Sequence, residues 1–382
     1  MNKMYCIFSA NYLPNIGGVE KYTENLALAL AAGGDKAVIV TSNVFNLPFI
    51  ENLSAGVEIV RLPCIPLMNG RLPFPRKNTQ YRELFKYISD LPIDYIVVNT
   101  RFYFHSFEGV RLAKSKGIRP IVIDHGSAHL TLGNKYADKV VAFYEHVITH
   151  FLKKNDIAFY GVSKMSCRWL NHFGISSQGV LNNSIDAKGF REASSGRDFR
   201  SEYGISKDSF VVSFTGRLIP EKGVLALAQA AEDLSEDKDI FFLVAGDGPL
   251  REAVASKRVE NLILLGRLDS PDVAALLLDS DAFCLPTRSE GFSTSLLECA
   301  ACGATPVVTH VGGVDELLRD GDLGCLIDKA DHEEIKNAVL FLNRDRNRCT
   351  TMGEELRKRV EREFSWAITA DKVRKACSLA NN

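Results

Sequence analysis

The sequence predicts an α/β protein built from two doubly wound, Rossmann-like domains. The chain has 382 residues, more than one ordinary hydrophobic core accommodates. Short apolar runs rich in β-branched residues alternate with helical patterns, and the alternation occurs as two series separated by a polar stretch. Apolar strands that alternate with helices are typical of parallel sheets covered by helices on both faces.

Each series contains six apolar runs that predict strands. In the first series they are YCIFSA, AVIVTS, VEIVRL, YIVVNT, PIVIDH and IAFYGVS, and helical patterns such as GVEKYTENLALALAA separate most of them. In the second series they are FVVSFTG, IFFLVAG, LILLGRL, AFCLPT, TPVVTH and GCLID, each followed by a helical pattern.

The junction between the domains is predicted at GVLNNSIDAKGF, residues 179–190, where the apolar periodicity stops. We therefore expect an N-terminal domain over residues 1–185 and a C-terminal domain over residues 186–364. The last helix, residues 365–382, follows no strand of the second domain and is expected to pack back on the first. Open parallel sheets bind ligands in loops at the C-terminal ends of their strands, so two facing domains would form a deep cleft lined by such loops.

The composition excludes several classes of protein. The chain is 46% hydrophobic and 24% charged, as in an average soluble protein, and no apolar run approaches the ~18 residues that a membrane span needs. The start, MNKMYCIFSANYLP, lacks a small-residue cleavage site and fits a buried first strand better than a signal peptide. The nine cysteines are scattered, mostly in apolar runs, which is typical of reduced thiols in the cytoplasm.

Two of three glycine-containing predicted loops carry residues suited to an anionic ligand. In NYLPNIGGVEKY, Gly17 and Gly18 would let the N–H groups of a helix N-terminus approach an anion, and a tight strand-to-helix turn explains them equally. In TGRLIPEKGV, Arg217 and Lys222 lie beside a helix N-terminus, which favours a phosphate or diphosphate over plain surface charge. VAGDGPLRE lacks the third glycine of a dinucleotide fingerprint and is interpreted as a turn.

The stretch PTRSEGFSTSLLECAACGATPVV places two glutamates, Glu290 and Glu298, eight positions apart. Glu290 follows a predicted strand, and Gly291 allows close approach of the backbone. Ser293 is a suitable N-cap for the next helix, which would put Glu298 about two turns into it. Carboxylates accept hydrogen bonds from vicinal hydroxyls and a helix N-terminus binds anions, so the layout fits a sugar, a diphosphate and a ribose in that order.

Two other patterns are not interpreted as metal sites. Cys299 and Cys302 form a C-x-x-C, but no second pair of cysteines or histidines completes a ligand set, so we interpret them as small helix residues packed on a sheet. Asp279 and Asp281 form a D-x-D at the predicted N-terminal end of a strand, away from the ligand-binding loops.

Taken in order, these motifs resemble the retaining glycosyltransferases of the GT-B architecture, specifically family 4. The resemblance covers nearly the whole chain: the Gly17–Gly18 pair, GRLIPEKG at 216–223, AGDGPLRE at 245–252, the E-x7-E signature and GGVDEL at 312–317. It implies transfer of a hexose from a nucleotide sugar, a UDP-sugar by expectation, to a saccharide or lipid-linked acceptor in bacterial glycan or glycolipid biosynthesis. A GDP-sugar is the alternative donor.

The resemblance also implies roles for single residues. Arg217 and Lys222 would bind the diphosphate. Glu290 would bind hydroxyls of the donor sugar, and Glu298 those of the ribose. His125 in IVIDHGSAHL, with His129 as the second choice, would contact the sugar near the reacting carbon. The implied catalytic residues are His125, Glu290, Arg217 and Lys222, and the implied donor-binding residues are Gly17, Gly18, Gly216, Arg217, Lys222, Arg267, Leu268, Glu290, Gly291, Phe292, Ser293, Thr294, Ser295, Leu296 and Glu298.

The mechanism that the resemblance implies is front-side attack, in which the leaving diphosphate takes the acceptor proton. The protein would then contribute charge stabilisation and positioning, with no metal or other cofactor. Double displacement through Glu290 is the less favoured route. The sequence departs from the family at Ser184, where Asn-Gly-Val-Asp is usual, and at residues 293–295, where Ser-Thr-Ser replaces the usual Gly or Pro and leaves the donor sugar open.

The acceptor is expected in the first domain. Residues 1–185 hold 20 Lys and Arg against 13 Asp and Glu, a net charge of +7, and the remainder has −8. This charge, the loop NGRLPFPRK and the amphipathic run at 135–155 indicate a membrane surface or an anionic, lipid-linked acceptor, with no role for nucleic acid. The alternatives are ordinary variation of surface charge and, for the amphipathic run, a helix that packs on its own sheet. The face in question comprises Val140, Val141, Tyr144, Val147, Ile148 and Phe151.

Three other functions compete with a transferase. A GT-B-like epimerase or phosphorylase is one, and a phosphorylase would need a lysine context for pyridoxal phosphate that is not evident in the sequence. A nucleotide-sugar-binding protein without activity is the second, and both glutamates together with Arg217 and Lys222 argue against it. A dinucleotide oxidoreductase is the third, and it would need a full G-x-G-x-x-G after the first strand.

Overall fold

The computed structural model describes residues 2–15, 17–131 and 134–382. The chain forms two compact units, one of Met1–Asn183 with Trp366–Asn382 and the other of Ser184–Ser365. Each unit contains one large, wholly or mostly parallel sheet and the helices that connect its strands, so the predicted α/β class is confirmed.

The sheet of the first unit has seven strands in the order β3-β4-β2-β1-β7-β8-β9, all parallel to their neighbours except β3 against β4. The strands of this unit are β1 (Met4–Ser9), β2 (Lys36–Ser42), β3 (Ile50–Ser54), β4 (Val57–Leu62), β5 (Cys64–Leu67), β6 (Leu72–Pro75), β7 (Tyr95–Asn99), β8 (Ile121–Asp124) and β9 (Ala158–Gly161). The helices before the second unit are α1 (Gly18–Ala32), α2 (Thr79–Asp90), α3 (Phe104–Lys116), α4 (Lys135–Leu152) and α5 (Lys164–His172).

The sheet of the second unit has six strands, all parallel, in the order β12-β11-β10-β13-β14-β15. Its strands are β10 (Phe210–Thr215), β11 (Ile240–Ala245), β12 (Leu262–Gly266), β13 (Ala282–Leu285), β14 (Thr305–Thr309) and β15 (Cys325–Ile327). Its helices are α6 (Ala187–Glu192), α7 (Phe199–Glu202), α8 (Val224–Asp233), α9 (Arg251–Ala255), α10 (Ser270–Leu278), α11 (Thr294–Cys302), α12 (Val314–Leu318), α13 (His332–Arg344) and α14 (Arg346–Glu363), with 3-10 turns at Pro220–Lys222 and Arg319–Gly321.

Every predicted strand forms, and the first unit adds three more. The two sheets consist of the twelve predicted runs plus β3, and strands such as β1, β2, β10 and β11 show the near-continuous burial that is typical of strands covered on both faces. The additional strand β3 is a polar, largely exposed edge strand, and β5 and β6 form a separate two-stranded hairpin that contains prolines. Polar and proline-containing runs carry no strand periodicity, which is why the sequence did not predict them.

The last helix, α15 (Trp366–Asn381), belongs to the first unit, as the sequence predicted. The Trp366 ring meets the Tyr22 ring of α1 edge-on at a centroid distance of 5.3 Å. Arg374 Nε donates to Asp35 Oδ2 at 2.7 Å, just beyond the end of α1. Together these contacts fix α15 along α1.

The amphipathic helix α4 does not present one uniform face. Ile148 is buried, whereas Val140 and Phe151 are 69% and 55% exposed. Because residues eight positions apart lie about 80° apart around a helix, the predicted face straddles the boundary between the packed side and the solvent side. One edge of the helix therefore packs on the unit, and the other edge is exposed to solvent. Within the described part of the chain, no helix combines the length and apolarity that crossing a bilayer requires.

Candidate functional site

The strand order of the second unit reverses between β10 and β13, because β11 and β12 lie on one side of β10 and β13 to β15 on the other. In doubly wound sheets, ligands bind at this switch point, outside the C-terminal ends of the two strands. The loops that leave β10 and β13 contact each other there: Arg288 N and Thr287 Oγ1 donate to the Glu221 carbonyl at 2.8 and 3.1 Å. The structure thus joins the two loops that carry most of the predicted donor site.

Lys222 and Glu290 form an ion pair across this junction, through Lys222 Nζ and Glu290 Oε1. Their side chains are only 20% and 18% exposed. A partly buried pair loses much of its solvent screening, so removing one partner would leave the other charge poorly compensated. The sequence analysis predicted that both residues bind the donor, but it did not predict that they pair with each other.

The N-terminus of α11 lies directly after Glu290 in the chain. Ser293 is its N-cap, as predicted, and its Oγ accepts from Leu296 N at 3.3 Å. The amides of Thr294 and Ser295 have no acceptor among the described residues, so the first turn keeps two N–H donors for an anion. Glu298 is the fifth residue of α11, little more than one turn from its start, so the expected two turns was an overestimate.

The backbone around Glu290 is held by two glycines of the loop after β14. Gly312 has φ +63°, and a Cβ there would lie 2.7 Å from the Glu290 carbonyl oxygen. A Cβ on Gly313 would lie 2.1 Å from the Phe292 ring, which is itself buried. Phe292 therefore anchors the loop by packing, while Gly291 joins it to Glu290. These two glycines begin the GGVDEL motif, which explains why it accompanies the glutamates.

A row of glycines links the remaining loops of the second unit. Gly246 N donates to Gly266 O at 2.7 Å and Gly216 N to Ala245 O at 3.0 Å. A Cβ on Gly246, where φ is +145°, would lie 1.8 Å from Gly216 O, so only glycine allows these backbones to approach so closely. Arg217 follows in the loop after β10, and its exposed side chain has no hydrogen-bond or ion-pair partner among the described residues.

Arg267 and Leu268 lie apart from the Lys222–Glu290 pair, in the loop after the edge strand β12. Arg267 is exposed, and Leu268 packs against the apolar cluster around Phe199. The side chain of Leu268 is therefore turned to the apolar cluster, whereas that of Arg267 is open to solvent, and the backbone contact with a ligand stays a prediction.

The D-x-D pattern lies at the N-terminal ends of the strands, as expected. Asp281 Oδ2 accepts from Val211 N and from Arg200 Nη2, both at 2.8 Å, and Asp279 Oδ2 accepts from Phe199 N at 2.7 Å. These bonds tie α7, β10 and β13 together, which is a structural role. The C-x-x-C pair is similar: Cys299 is fully buried, and burial raises the pKa of the Cys302 thiol to about 12.

In the first unit the strand order reverses between β1 and β7, and a chain of hydrogen bonds starts there at the end of β7. His125 Nε2 contacts Asn99 Oδ1 at 3.0 Å, Asn99 Nδ2 donates to Thr23 Oγ1 at 2.7 Å, and the Thr23 hydroxyl donates to the Val19 carbonyl at 2.8 Å. Since that carbonyl can only accept, the chain makes His125 Nε2 the donor and leaves Nδ1 with its lone pair. Burial lowers the pKa of His125 to about 3, which keeps the imidazole neutral near pH 7.

The predicted glycine pair starts α1, with Gly17 as N-cap and Gly18 as the first helical residue. The Glu20 carboxylate lies beside it, because a Cβ on Gly17 would lie 2.3 Å from Glu20 Oε2. Asn15 Nδ2 donates to Glu20 Oε1 at 2.9 Å, and burial raises the pKa of this carboxyl. The helix N-terminus therefore already has an acidic side chain beside its N–H groups.

Sequence reasoning missed two sets of residues in the first unit. Asn99 and Thr23 orient His125. The one feature of the sequence that could have indicated this role is the polar residue at the end of the apolar run YIVVN. The second set is a buried ion-pair network in which Arg101 Nη1 binds Asp124 Oδ1 at 2.7 Å and Arg101 Nη2 binds Glu145 Oε2 at 3.1 Å. The sequence indicates this network less clearly, because a single charged residue in an apolar pattern does not show which residue it pairs with.

Two family models match the chain. The one described as Glycosyl transferases group 1 matches residues 196–359, and the one described as Glycosyltransferase Family 4 matches residues 16–188. The chain belongs to glycosyltransferase family 4. Its two-unit fold is the GT-B architecture of that family, as the sequence predicted.

Relatives agree with this family, and a solved structure shares the fold. An uncharacterized glycosyltransferase of Methanocaldococcus jannaschii is 23% identical over 97% of this chain and 96% of its own. The phosphatidylinositol N-acetylglucosaminyltransferase GPI3 subunit of Saccharomyces cerevisiae is 26% identical over 82% of this chain and 69% of the yeast protein. The Anabaena protein HepE, solved in complex with UDP-glucose, shares the fold with a TM-score of 0.70 and 16% identity over 98% of this chain and 99% of its own.

Proposed function

We propose that this glycosyltransferase is a retaining hexosyltransferase that uses a UDP-sugar and needs no metal for the transfer. The observation that carries the proposal is the Lys222–Glu290 pair at the switch point of the second unit, beside the open amides of α11. A cation, a carboxylate and a helix N-terminus are the groups that a diphosphate joined to a sugar requires. The UDP-glucose bound by HepE and the N-acetylglucosaminyl transfer named for the yeast relative support a UDP-hexose donor.

In this proposal the diphosphate binds Lys222, Arg217 and the amides of Thr294 and Ser295. The Lys222 ammonium has three donors, so it can keep Glu290 and still bind a phosphate oxygen. Glu290 is then held where its second oxygen accepts from hydroxyls of the donor sugar. Glu298, about one turn along α11, accepts from the ribose hydroxyls. Arg267 and Leu268 contribute backbone groups to the base.

The residues of the first unit act on the sugar side. Neutral His125, with its Nδ1 lone pair left free by the Asn99 contact, accepts a hydrogen bond from a hydroxyl of the donor sugar. Gly17 and Gly18 present backbone to the donor, with Glu20 beside them. None of these groups serves as a base for the acceptor, so the departing phosphate oxygen takes the acceptor proton on the reacting face. The rate enhancement then comes from stabilising charge on the diphosphate and from positioning.

Calorimetric titration with UDP and GDP, with and without EDTA, tests the donor. We expect UDP to bind equally well in both conditions and more tightly than GDP. Loss of UDP binding in EDTA would overturn metal independence. A preference for GDP would overturn the choice of base, while leaving a nucleotide-sugar transferase in place. Absence of binding by either nucleotide would contradict the proposed site itself.

The stereochemical outcome is tested by NMR of the product. An α-linked UDP-sugar should give an α-linked product, which the anomeric coupling constant reports directly. A β product would require a base on the opposite face of the sugar and would rule out front-side attack. Hydrolysis of the donor without acceptor, followed across several UDP-sugars, then identifies the hexose.

We further propose that the acceptor is lipid-linked and meets the enzyme at a membrane surface. The exposed edge of α4 carries apolar side chains along one stripe, with Tyr136, Val140 and Phe143 exposed by 83%, 69% and 70%. The unit that carries this stripe has the basic half of the sequence. Apolar side chains flanked by cations are typical of a helix that lies on anionic lipid.

Sedimentation with anionic phospholipid vesicles tests the membrane contact. We expect Phe143→Glu to reduce the bound fraction several-fold. Phe341→Glu is the matched control, because Phe341 is also an exposed phenylalanine on a helix, but in the second unit. Equal binding by both variants would mean that α4 does not contact lipid.

A further inference from the structure

Three histidines from three separate segments of the first unit meet at one place outside the proposed donor site. His129 lies in the segment after β8, His146 in α4 and His172 at the end of α5. One ring nitrogen from each lies within 4.8 Å of the other two. His129 is 28% exposed and the other two are exposed, so the cluster is open to solvent on one side.

The spacing of two of these nitrogens matches that of ligands on one metal ion. His146 Nε2 and His172 Nε2 lie 3.2 Å apart. Two imidazole nitrogens bound at ~2.05 Å to a tetrahedral zinc ion are separated by about 3.3 Å. A direct hydrogen bond between the two rings would give a similar distance, but it leaves the third imidazole unexplained.

His129 also has the hydrogen-bond partner that is typical of a metal-binding histidine. Its Nδ1 contacts Glu145 Oε2 at 3.2 Å, which leaves Nε2 as its free ring nitrogen. Metal-binding histidines usually donate their other ring N–H to a carboxylate, which fixes the tautomer and the ring orientation. Glu145 is itself held, because its Oε1 accepts from Leu130 N at 2.9 Å and its Oε2 from Arg101 Nη2 at 3.1 Å.

The charges behind the cluster also favour a cation. Arg101, Asp124 and Glu145 are all at most 1% exposed, so one buried guanidinium faces two buried carboxylates. A positive ion bound to His129 would lie next to this excess negative charge. Around the cluster the rings are already packed: Trp169 stacks on His172 with a centroid distance of 4.7 Å and a 7° angle.

We propose that His129, His146 and His172 bind one divalent transition-metal ion, Zn²⁺ by geometry, with Glu145 as the carboxylate behind His129. Three imidazoles leave a fourth position that water fills on the exposed side. The ion would cross-link the segment after β8 to α4 and α5. That segment also carries His125, four residues before His129, so the metal would fix the chain next to a proposed sugar-binding residue without touching the donor.

Metal binding by the full-length protein tests this site directly. Zn²⁺ is titrated in competition with a chromophoric chelator, and Co²⁺ is followed by its visible absorption. We expect one ion per chain with the d–d spectrum of a tetrahedral nitrogen-ligated site. His172→Ala and His146→Ala should each weaken Zn²⁺ binding by about 10²-fold, and both residues are exposed.

Three control variants make the assignment specific. His150→Ala removes an exposed histidine of α4 outside the cluster and should leave binding unchanged. His332→Ala tests the other candidate ligand group in the described residues, Asp233, His332 and Glu333, and should also leave it unchanged. Glu145→Gln should weaken binding about 10-fold to 100-fold through His129.

The outcomes separate the site from its competitors. Wild-type affinity in His172→Ala would overturn the proposal, as would binding no tighter than millimolar. Loss of binding in His332→Ala would assign the ion to the other group. An intense near-ultraviolet thiolate-to-cobalt band would assign it to cysteines. A rise in the unfolding temperature with Zn²⁺, abolished in His172→Ala, would show that the ion cross-links the fold.

Discussion

Both units reverse their strand order once, between β10 and β13 in the second unit and between β1 and β7 in the first. The second unit places Lys222, Glu290 and the open N-terminus of α11 at its switch point. The first unit places the neutral chain His125–Asn99–Thr23 there, and α1 has the Glu20 carboxylate beside its N-terminus. The same backbone topology therefore carries different charges: a cation paired with a carboxylate in the second unit, and a carboxylate beside neutral groups in the first.

The difference shows that the topology of a doubly wound sheet sets the position of a ligand site, and that the side chains at that position determine which ligand binds. Helix N-termini attract anions in both units. In the second unit the cations Arg217 and Lys222 strengthen that attraction, whereas in the first unit a carboxylate opposes it. We accordingly expect the diphosphate to depend on the second unit, and uncharged hydroxyls to depend on the first.

The largest expected effect is on stability, and it concerns the close approach of the loops after β10 and β11 in the second unit. Gly246→Ala places a Cβ 1.8 Å from Gly216 O at φ +145°, and should lower the unfolding free energy by about 3 kcal/mol or more. Gly18→Ala is the counterpart in the first unit, where a Cβ has nothing within 4 Å, and should change it by less than about 1 kcal/mol. Denaturant unfolding followed by circular dichroism measures both, and equal effects would refute the argument.

The next effect concerns the charge at the second switch point. Lys222→Ala should lower kcat about 10²-fold and weaken donor binding less, because charge grows on the diphosphate in the transition state. Lys257→Ala is the matched control, since it breaks the 2.7 Å pair with Glu232 in the same unit, away from the switch point. Steady-state kinetics on both variants decides the point: wild-type turnover in Lys222→Ala would make that residue ordinary surface charge.

The third effect concerns pH and the first unit. Burial lowers the pKa of His125 to about 3 and that of His105 to about 4, whereas an unfolded histidine titrates near 6.5. The unfolded chain therefore binds more protons below pH 6.5, so stability is full above that pH and declines as the pH falls. Each histidine should contribute on the order of 1–2 kcal/mol between pH 7 and pH 5.

His125→Gln tests this assignment, because glutamine can still donate to Asn99 but does not titrate. The pH dependence of the unfolding free energy between pH 7 and pH 5 should become shallower by the contribution of one histidine. His105→Gln, which replaces the fully buried ring that contacts the Val40 carbonyl, should have the same effect. An unchanged slope in His125→Gln would mean that this imidazole already titrates normally.

The smallest effect compares the two helix N-termini. Ser293→Ala removes the N-cap of α11 and should cost about 1 kcal/mol of stability and weaken UDP binding a few-fold. Glu20→Gln removes the charge beside α1 and should leave UDP affinity within about two-fold, since the diphosphate is assigned to the other unit. Calorimetric titration with UDP compares the two variants. A larger loss of UDP affinity in Glu20→Gln than in Ser293→Ala would assign the diphosphate to the first unit.

Sequence patterns predicted the twelve main strands because apolar runs with helical spacers have a local signature. They also predicted Ser293 as an N-cap, since capping uses a bond between residues three apart. They did not predict that Lys222 binds Glu290, nor that Asn99 joins Thr23 to His125. Those contacts link residues 68, 76 and 26 positions apart, and nothing in a local window records them.

By itself the sequence determined the two sheets, the order of the motifs and the chemical types of residue available at each strand end. The tertiary structure alone decided which of those residues share a site, because strand order sets which loops become neighbours. β10 and β13 are separated by two strands in the chain and adjacent in the sheet, and that adjacency brings Lys222 to Glu290. Likewise His129, His146 and His172 form no motif in the sequence, and only the packing of α4 and α5 beside β8 and β9 brings their nitrogens within 4.8 Å.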